Sequence, residues 1–251
     1  QRQMCIRDST SSASSYILMD STTGRVLMSK DMHTRRLIAS ITKIMTATLA
    51  IESGKLDDVV EVSPIIKEAY GSGIYIEVGE EITLKDLVYG LMLRSGNDAA
   101  MMISEYIGGT TEEFVNMMNK KAKELGMKET TFYNPSGLPT PSGNYSSAYD
   151  MALLTKYAMN SPVYQEIVKT KTYKVTTNKK TYLWHNKNKL LKYDYITGGK
   201  TGYTEESGRT LVSTANIDNM PLIVVTIRDS DDWNTHIEPV SYTHLTLPTI
   251  R

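Results

Sequence analysis

Residues 34–49, T-R-R-L-I-A-S-I-T-K-I-M-T-A-T-L, constrain this chain more than any other stretch. Apolar residues at Ile41, Ile44, Met45, Ala47 and Leu49 read as a buried helix. Ser40 and Lys43 stand at its head, three apart and so on one face, which puts the lysine amine within hydrogen-bond reach of the serine hydroxyl. A serine hydroxyl is a poor nucleophile until a base takes its proton. Lysine can be that base where burial or a neighbouring cation lowers its pKa. Unpaired amides at a helix N-terminus also favour developing negative charge. Alone, S-x-x-K recurs by chance, and a serine and lysine sharing a helix surface is the plain reading.

The chain has 251 residues, 40% of them apolar, enough to bury a sizeable core in one large domain. Its formal net charge is zero, so no global field recruits nucleic acid or an acidic partner. The single cysteine, Cys5, excludes an intrachain disulfide and a cysteine-based metal cluster. Histidines at 33, 185, 236 and 244 lack ligand spacing. No apolar run is long enough to span a bilayer, and no signal peptide is visible. The methionines read as core filler.

Both ends differ from the interior in having no periodicity. Residues 1–12 read as a non-native leader, 13–240 as the folded domain, cut within its last helix after His236, and 241–251 as a non-native tail. Between them, 15–20 and 25–29 are predicted strands joined by S-T-T-G, a hairpin with a glycine for a positive φ. The 56–62 segment opens a mixed region rich in loop. Helices are predicted over 84–93, 97–107, 112–125 and 148–159, with Pro162 after the last. Residues 134–145 are rich in proline and glycine and read as loop. A polar hairpin (172–177 and 181–185) and three β-rich runs (195–199, 209–215 and 221–228) complete the pattern. Strands at both ends and helices between predict an antiparallel sheet assembled from the two ends.

Two further motifs carry chemistry. Ser95-Gly96-Asn97 falls between two apolar helices, where a hydroxyl to relay a proton and an amide to bind a peptide carbonyl can enter one cleft. A second copy, Ser142-Gly143-Asn144, lies in the Pro/Gly-rich segment and reads as ordinary turn chemistry. Ser95 is the better candidate because helices on both sides would hold it rigidly. Lys200-Thr201-Gly202 lies within T-G-G-K-T-G-Y-T, where glycines let a substrate backbone come close. Lys200 and Thr201 suit a terminal carboxylate. A phosphate loop is excluded, because that motif needs a glycine at position 194, which is Asp194.

S-x-x-K, S-x-N and K-T-G, in that order and widely spaced, together resemble the signature of the serine penicillin-interacting enzymes. The words A-S-I-T-K-I-M-T-A, L-R-S-G-N-D-A-A, Y-S-S-A-Y-D-M-A and K-T-G-Y-T-E-E-S-G resemble the low-molecular-mass D-alanyl-D-alanine carboxypeptidases over about 14–236. The resemblance implies an α/β fold of the β-lactamase/transpeptidase type, a five-stranded antiparallel sheet packed with helices plus a mostly helical subdomain. It implies that Ser40 is acylated with Lys43 as its base. Ser95 and Asn97 would bridge the proton network and hold substrate, and Lys200 and Thr201, beside Gly202, would bind the terminal carboxylate. The amides of Ser40 and Tyr203 would form an oxyanion hole. No cofactor or metal is implied. The implied partners are peptidoglycan stems ending in D-Ala-D-Ala and β-lactam antibiotics. The implied place is the extracytoplasmic bacterial envelope, on the outer face of the cytoplasmic membrane. Membrane contact would come only through an anchor that, like the family's small β domain, is expected to be missing from this sequence.

Competing readings are weaker. A penicillin-sensing domain would acylate without turnover, but such receptors usually join a transmembrane signalling segment. A β-lactamase would need a deacylating glutamate in an E-x-x-L-N loop, and the faint match at 112–116 lies in an amphipathic helix. An α/β-hydrolase esterase would need G-x-S-x-G, which is absent.

Overall fold

The structure, a computed structural model, describes residues 11–139 and 141–237. Cys5 and His244 fall outside them.

The chain opens on a strand, Ser15–Asp20, that turns into Val26–Lys30. Its other neighbour comes from the far end of the sequence, Met220–Ile227, pairing antiparallel from Ser15↔Ile227 to Asp20↔Leu222. Strands Gly208–Ile217 and Ile196–Thr204 follow outward, giving a five-stranded sheet with Ile196–Thr204 at one edge. All its pairings are antiparallel, as the two-ended strand pattern predicts.

Both faces of the sheet are covered. Ile17, Met19, Val212, Ile223 and Val225 enter the main helical core. Their alternates Leu18, Leu211, Ala215, Leu222 and Val224 enter a smaller core with Leu190, Leu191, Trp233 and Ile237. Two-sided burial is why 222–225 is apolar without alternation. Helical residues 232–237 cover this second face, and His236 is buried there between Ser213 Oγ (2.6 Å) and Thr226 Oγ1 (3.0 Å). Burial pushes its pKa down to about 3, so it is a neutral core histidine.

The main face carries six helices: α1 (Lys43–Glu52), α2 (Leu84–Arg94), α3 (Asn97–Gly108), α4 (Thr111–Glu124), α5 (Ala148–Ala158) and α6 (Pro162–Lys169). Every residue of α1 from Lys43 to Ala50 is buried. A helix buried on all sides belongs at the centre of a domain, and the others pack about it. Pro162, which the sequence reading places after the preceding helix, occupies the first turn of α6, and Ser161 Oγ caps that turn by accepting from Tyr164 N. Proline suits this position because the N–H it lacks would have had no helical partner. The predicted polar hairpin forms, Thr172–Thr176 pairing with Thr181–His185. No described helix is long and apolar enough to cross a membrane.

Candidate active site

Ser40 lies in a 3-10 turn, Ala39–Thr42, that leads directly into α1. Lys43, the first residue of α1, is fully buried. Its Nζ lies 3.0 Å from Ser40 Oγ, 2.7 Å from Asn97 Oδ1 and 2.6 Å from the Ser136 carbonyl. Burial first, then the charges of Lys200 and Lys187, holds this amine well below the ordinary lysine range, with Asp98 opposing weakly.

Ser95 and Asn97 reach the same place because α2 and α3 meet at a two-residue turn. Ser95 takes a left-handed conformation (φ 61°) to end α2, and Gly96 starts α3. A serine there is mildly strained, of order 1 kcal/mol. Asn97 is fixed at both ends: its Oδ1 faces Lys43, and its Nδ2 donates to the Tyr70 carbonyl at 2.6 Å. Loop 70–75 is itself pinned by Asp98, whose carboxylate accepts the amides of Ile74 (3.0 Å) and Tyr75 (2.7 Å).

Lys200, Thr201, Gly202 and Tyr203 lie on the edge strand, which passes directly beside the Ser40 turn. A Cβ added to Gly202 would stand 2.4 Å from Thr210 Oγ1 and 2.9 Å from the Ser40 amide, so only glycine allows this approach. Lys200 is buried and donates to Ser95 Oγ at 3.0 Å and to the Thr201 carbonyl at 2.7 Å. Burial, then Lys187, pushes its pKa down to about 7.

The structure thus gathers all eight residues singled out in the sequence. Ser40, Ser95, Thr201, Gly202 and Tyr203 line one cleft of about 470 Å3, and Lys43, Asn97 and Lys200 bond to its lining or floor. Sequence reasoning missed several others. Ser72, Lys187, Arg209, Asp232 and Trp233 also line the cleft. Lys187 Nζ donates to Ser72 Oγ (3.1 Å), and Arg209 faces Asp232 at 3.5 Å. None of these stands in a motif, although Ser72 lies between two glycines in the region read as rich in loop. The Ser136 carbonyl carries no side-chain signal at all.

The second S-G-N copy lies in the loop read for it, and the structure adds that its asparagine is buried and braces that loop. Asn144 is 1% exposed, and its Oδ1 accepts the amides of Tyr133 (2.7 Å) and Asn134 (3.1 Å). Its Nδ2 donates to Thr42 Oγ1 at 3.0 Å and to the Asn134 carbonyl at 2.8 Å. Asn144 therefore ties Asn134, at the start of the segment that carries the Ser136 carbonyl, to the residue before Lys43.

A helix-covered antiparallel sheet, with a Ser–Lys pair beside its edge strand, is the layout of the penicillin-interacting DD-peptidases. A family model described as D-alanyl-D-alanine carboxypeptidase matches residues 2–231, and the chain belongs to that family. D-alanyl-D-alanine carboxypeptidase DacF of Bacillus subtilis is 45% identical over 224 residues, covering 85% of this chain and 56% of that protein. DacD of Escherichia coli is 34% identical over 236 residues, covering 87% and 58% respectively. The chain thus spans little more than half the length of these curated relatives. Among solved structures, a D-alanyl-D-alanine carboxypeptidase from Mycobacterium tuberculosis matches with a TM-score of 0.93 at 26% identity, covering 99% of this chain and 97% of that one. A variant of the Streptomyces K15 DD-transpeptidase matches at 0.84 and 30% identity, covering 90% of this chain and 96% of that one.

Proposed function

We propose that residues 13–240 are the catalytic domain of a serine D-Ala-D-Ala carboxypeptidase that trims the terminal D-alanine from peptidoglycan stems and is acylated by penicillins. The observation that carries this reading is the set of partners around Lys43 Nζ. A neutral amine has two N–H donors and one lone pair. Asn97 Oδ1 and the Ser136 carbonyl can only accept from such an amine, which leaves the lone pair for the Ser40 hydroxyl. Burial and two neighbouring cations favour the neutral form.

In the proposed sequence, Lys43 takes the Ser40 proton as Oγ attacks the penultimate D-alanine carbonyl. The amides of Ser40 and Tyr203 hold the resulting oxyanion. Ser95, bonded to Lys200, relays a proton to the leaving nitrogen, and the peptide C–N bond breaks with loss of D-alanine. Water then hydrolyses the ester on Ser40. Lys200 and Thr201, brought in by Gly202, receive the substrate's carboxylate. A β-lactam enters the same path because its ring amide mimics the scissile bond. The setting this implies is the outer side of the cytoplasmic membrane in a bacterial envelope.

The test has two parts. Release of D-alanine from a soluble N-acylated peptide ending in D-Ala-D-Ala should be catalytic, and intact mass after incubation with penicillin should show one adduct. Both should vanish in Ser40→Ala. An adduct that persists in that variant moves the nucleophile elsewhere, and acylation without D-alanine release favours a sensing domain.

A further inference from the structure

Residues 167–193 carry eight lysines and no aspartate or glutamate, in a chain whose overall charge is zero. Lysine charge is therefore concentrated on one part of the molecule, the Thr172–Thr176/Thr181–His185 hairpin and its base. Within the hairpin, Val175, Tyr182 and Trp184 face the core, while Lys174, Leu183 and His185 are exposed on the other side.

The base of the hairpin joins this charge to the cleft. Asn186 N donates to the Lys171 carbonyl (2.8 Å), Arg94 donates to the His185 carbonyl (3.3 Å) and Lys187 N donates to the Leu93 carbonyl (3.1 Å). Arg94, Lys171 and Lys187 thus meet where Lys187 enters the cleft. Lys189 continues the run, lying over the ring of Trp233, which also lines the cleft (6.0 Å to the centroid). Among the described residues, only Lys180 of the eight has a carboxylate within ion-pair distance, Glu77 at 2.7 Å. Lys179 and Lys180 also tie down the neighbouring loop through the carbonyls of Val78 and Tyr75. Lys169, Lys171 and Lys174 are exposed.

Edge strands often carry a lysine to discourage pairing with another sheet. That explains Lys174. It does not explain a series of cations lacking counter-ions that leads into a cleft already holding two buried lysines. Such an arrangement concentrates anions at the cleft mouth.

We infer that the hairpin and its base, through Lys169, Lys171, Lys174 and Lys189, form a docking face for carboxylate-bearing peptidoglycan, engaging free carboxylates of stems beside the one being cleaved. This rests on the proposed carboxypeptidase reading. The face is continuous with the cleft, so a polymer whose stem end occupies the cleft can extend across it. The product stem still ends in a carboxylate, so the polymer stays anionic during processing. Lysines on flexible stems suit carboxylates spaced along a polymer, since no bidentate geometry is required.

The test compares two substrates in the Lys171→Glu/Lys174→Glu double variant, with Lys171→Arg/Lys174→Arg as control. Turnover of a soluble N-acyl-D-Ala-D-Ala peptide should stay within about twofold of wild type, because neither residue touches the cleft. D-alanine release from pentapeptide-rich peptidoglycan stripped of other wall polymers should fall about tenfold or more at low salt. That gap should close as salt is raised, and the arginine control should behave as wild type. Amidating the polymer's other carboxylates, with the terminal D-Ala-D-Ala carboxylate left free for the cleft, should reproduce the loss with the wild-type protein. Equal effects on both substrates, or no effect on either, overturn the inference. So does binding that survives amidation, or that appears only with phosphodiester wall polymer or anionic lipid vesicles. If wild type fails on the soluble peptide, the carboxypeptidase reading falls, while co-sedimentation with stripped and amidated peptidoglycan still decides the docking face.

Discussion

The two S-G-N tripeptides are identical in sequence and both bury their asparagine, Asn97 to 3% and Asn144 to 1% exposure. Their neighbours separate them. Asn97 sits at the junction of two helix ends, so one amide oxygen reaches the Lys43 amine while the amide nitrogen holds loop 70–75. Asn144 bonds mostly to backbone: three of its four partners are main-chain groups of Tyr133 and Asn134, and the fourth is the Thr42 hydroxyl. The first tripeptide offers a polar atom to a titratable group in the cleft. The second fixes the loop that supplies the Ser136 carbonyl from behind. Burial alone therefore does not mark a functional residue; a titratable hydrogen-bond partner, here the amine that donates to Asn97 Oδ1, does.

The largest effect expected is at the group the two asparagines serve. Lys43→Arg keeps a long basic side chain but cannot give a neutral base, since guanidinium stays protonated. Acylation by penicillin, followed by intact mass, should slow by about 100- to 10,000-fold, the usual contribution of a general base. Near-normal acylation would remove Lys43 from that role.

Asn97→Ala and Asn144→Ala should then part in kind. The first removes an acceptor from an amine that becomes charged during reaction, about 1.5–3 kcal/mol, and should appear in kcat/KM with only a modest loss of Tm. The second strands buried amides of Tyr133 and Asn134, and should lower unfolding stability by about 1–3 kcal/mol while kcat/KM of the folded enzyme falls less than in Asn97→Ala. Thermal melts and kinetics on both variants decide this. A stable but inactive Asn144→Ala would erase the distinction drawn above.

A smaller effect should come from Thr201→Ala. Loss of one hydroxyl contact should weaken a peptide with a free C-terminal carboxylate by about 0.5–1.5 kcal/mol relative to the same peptide as an amide. Equal weakening of both would place the carboxylate elsewhere in the cleft.

The most gradual effect concerns pH. Lys200 titrates near 7 in the fold against an ordinary 10.5. Between these values the unfolded chain binds more protons than the folded one, so this residue makes stability rise with pH across that window and leaves it lower below 7. The difference between wild type and Lys200→Met in denaturant midpoint should therefore follow pH upward from about 7. A flat difference curve would mean that Lys200 is not desolvated as described. Binding of a free-carboxylate peptide should weaken over the same rise, as the Lys200 charge is lost.

Much of the fold was legible because local pattern and final environment agreed. The 15–20 strand is observed at those bounds, and the helices predicted over 84–93 and 97–107 each run one residue further. Helix α6 was missed because proline reads as a breaker in sequence, and only an actual first turn turns its missing N–H into an advantage. The edge strand extends through Lys200-Thr201-Gly202 although glycine-rich runs read as loops, because its partner strand supplies the hydrogen bonds that its composition does not promise.

By itself the sequence determined the chemistry available: one S-x-x-K at the head of a buried helix, a serine and an asparagine at a helix junction, and a K-T-G with glycines for close approach. These are properties of residue type and short spacing, which survive without knowing the fold. The tertiary structure alone decided that Lys43 meets the Ser136 carbonyl from 93 positions away, that Asn144 supports that loop and that Lys187 enters the cleft. Backbone carbonyls carry no residue signature, and long-range proximity is set by packing the two ends of the chain into one sheet. No local pattern records either.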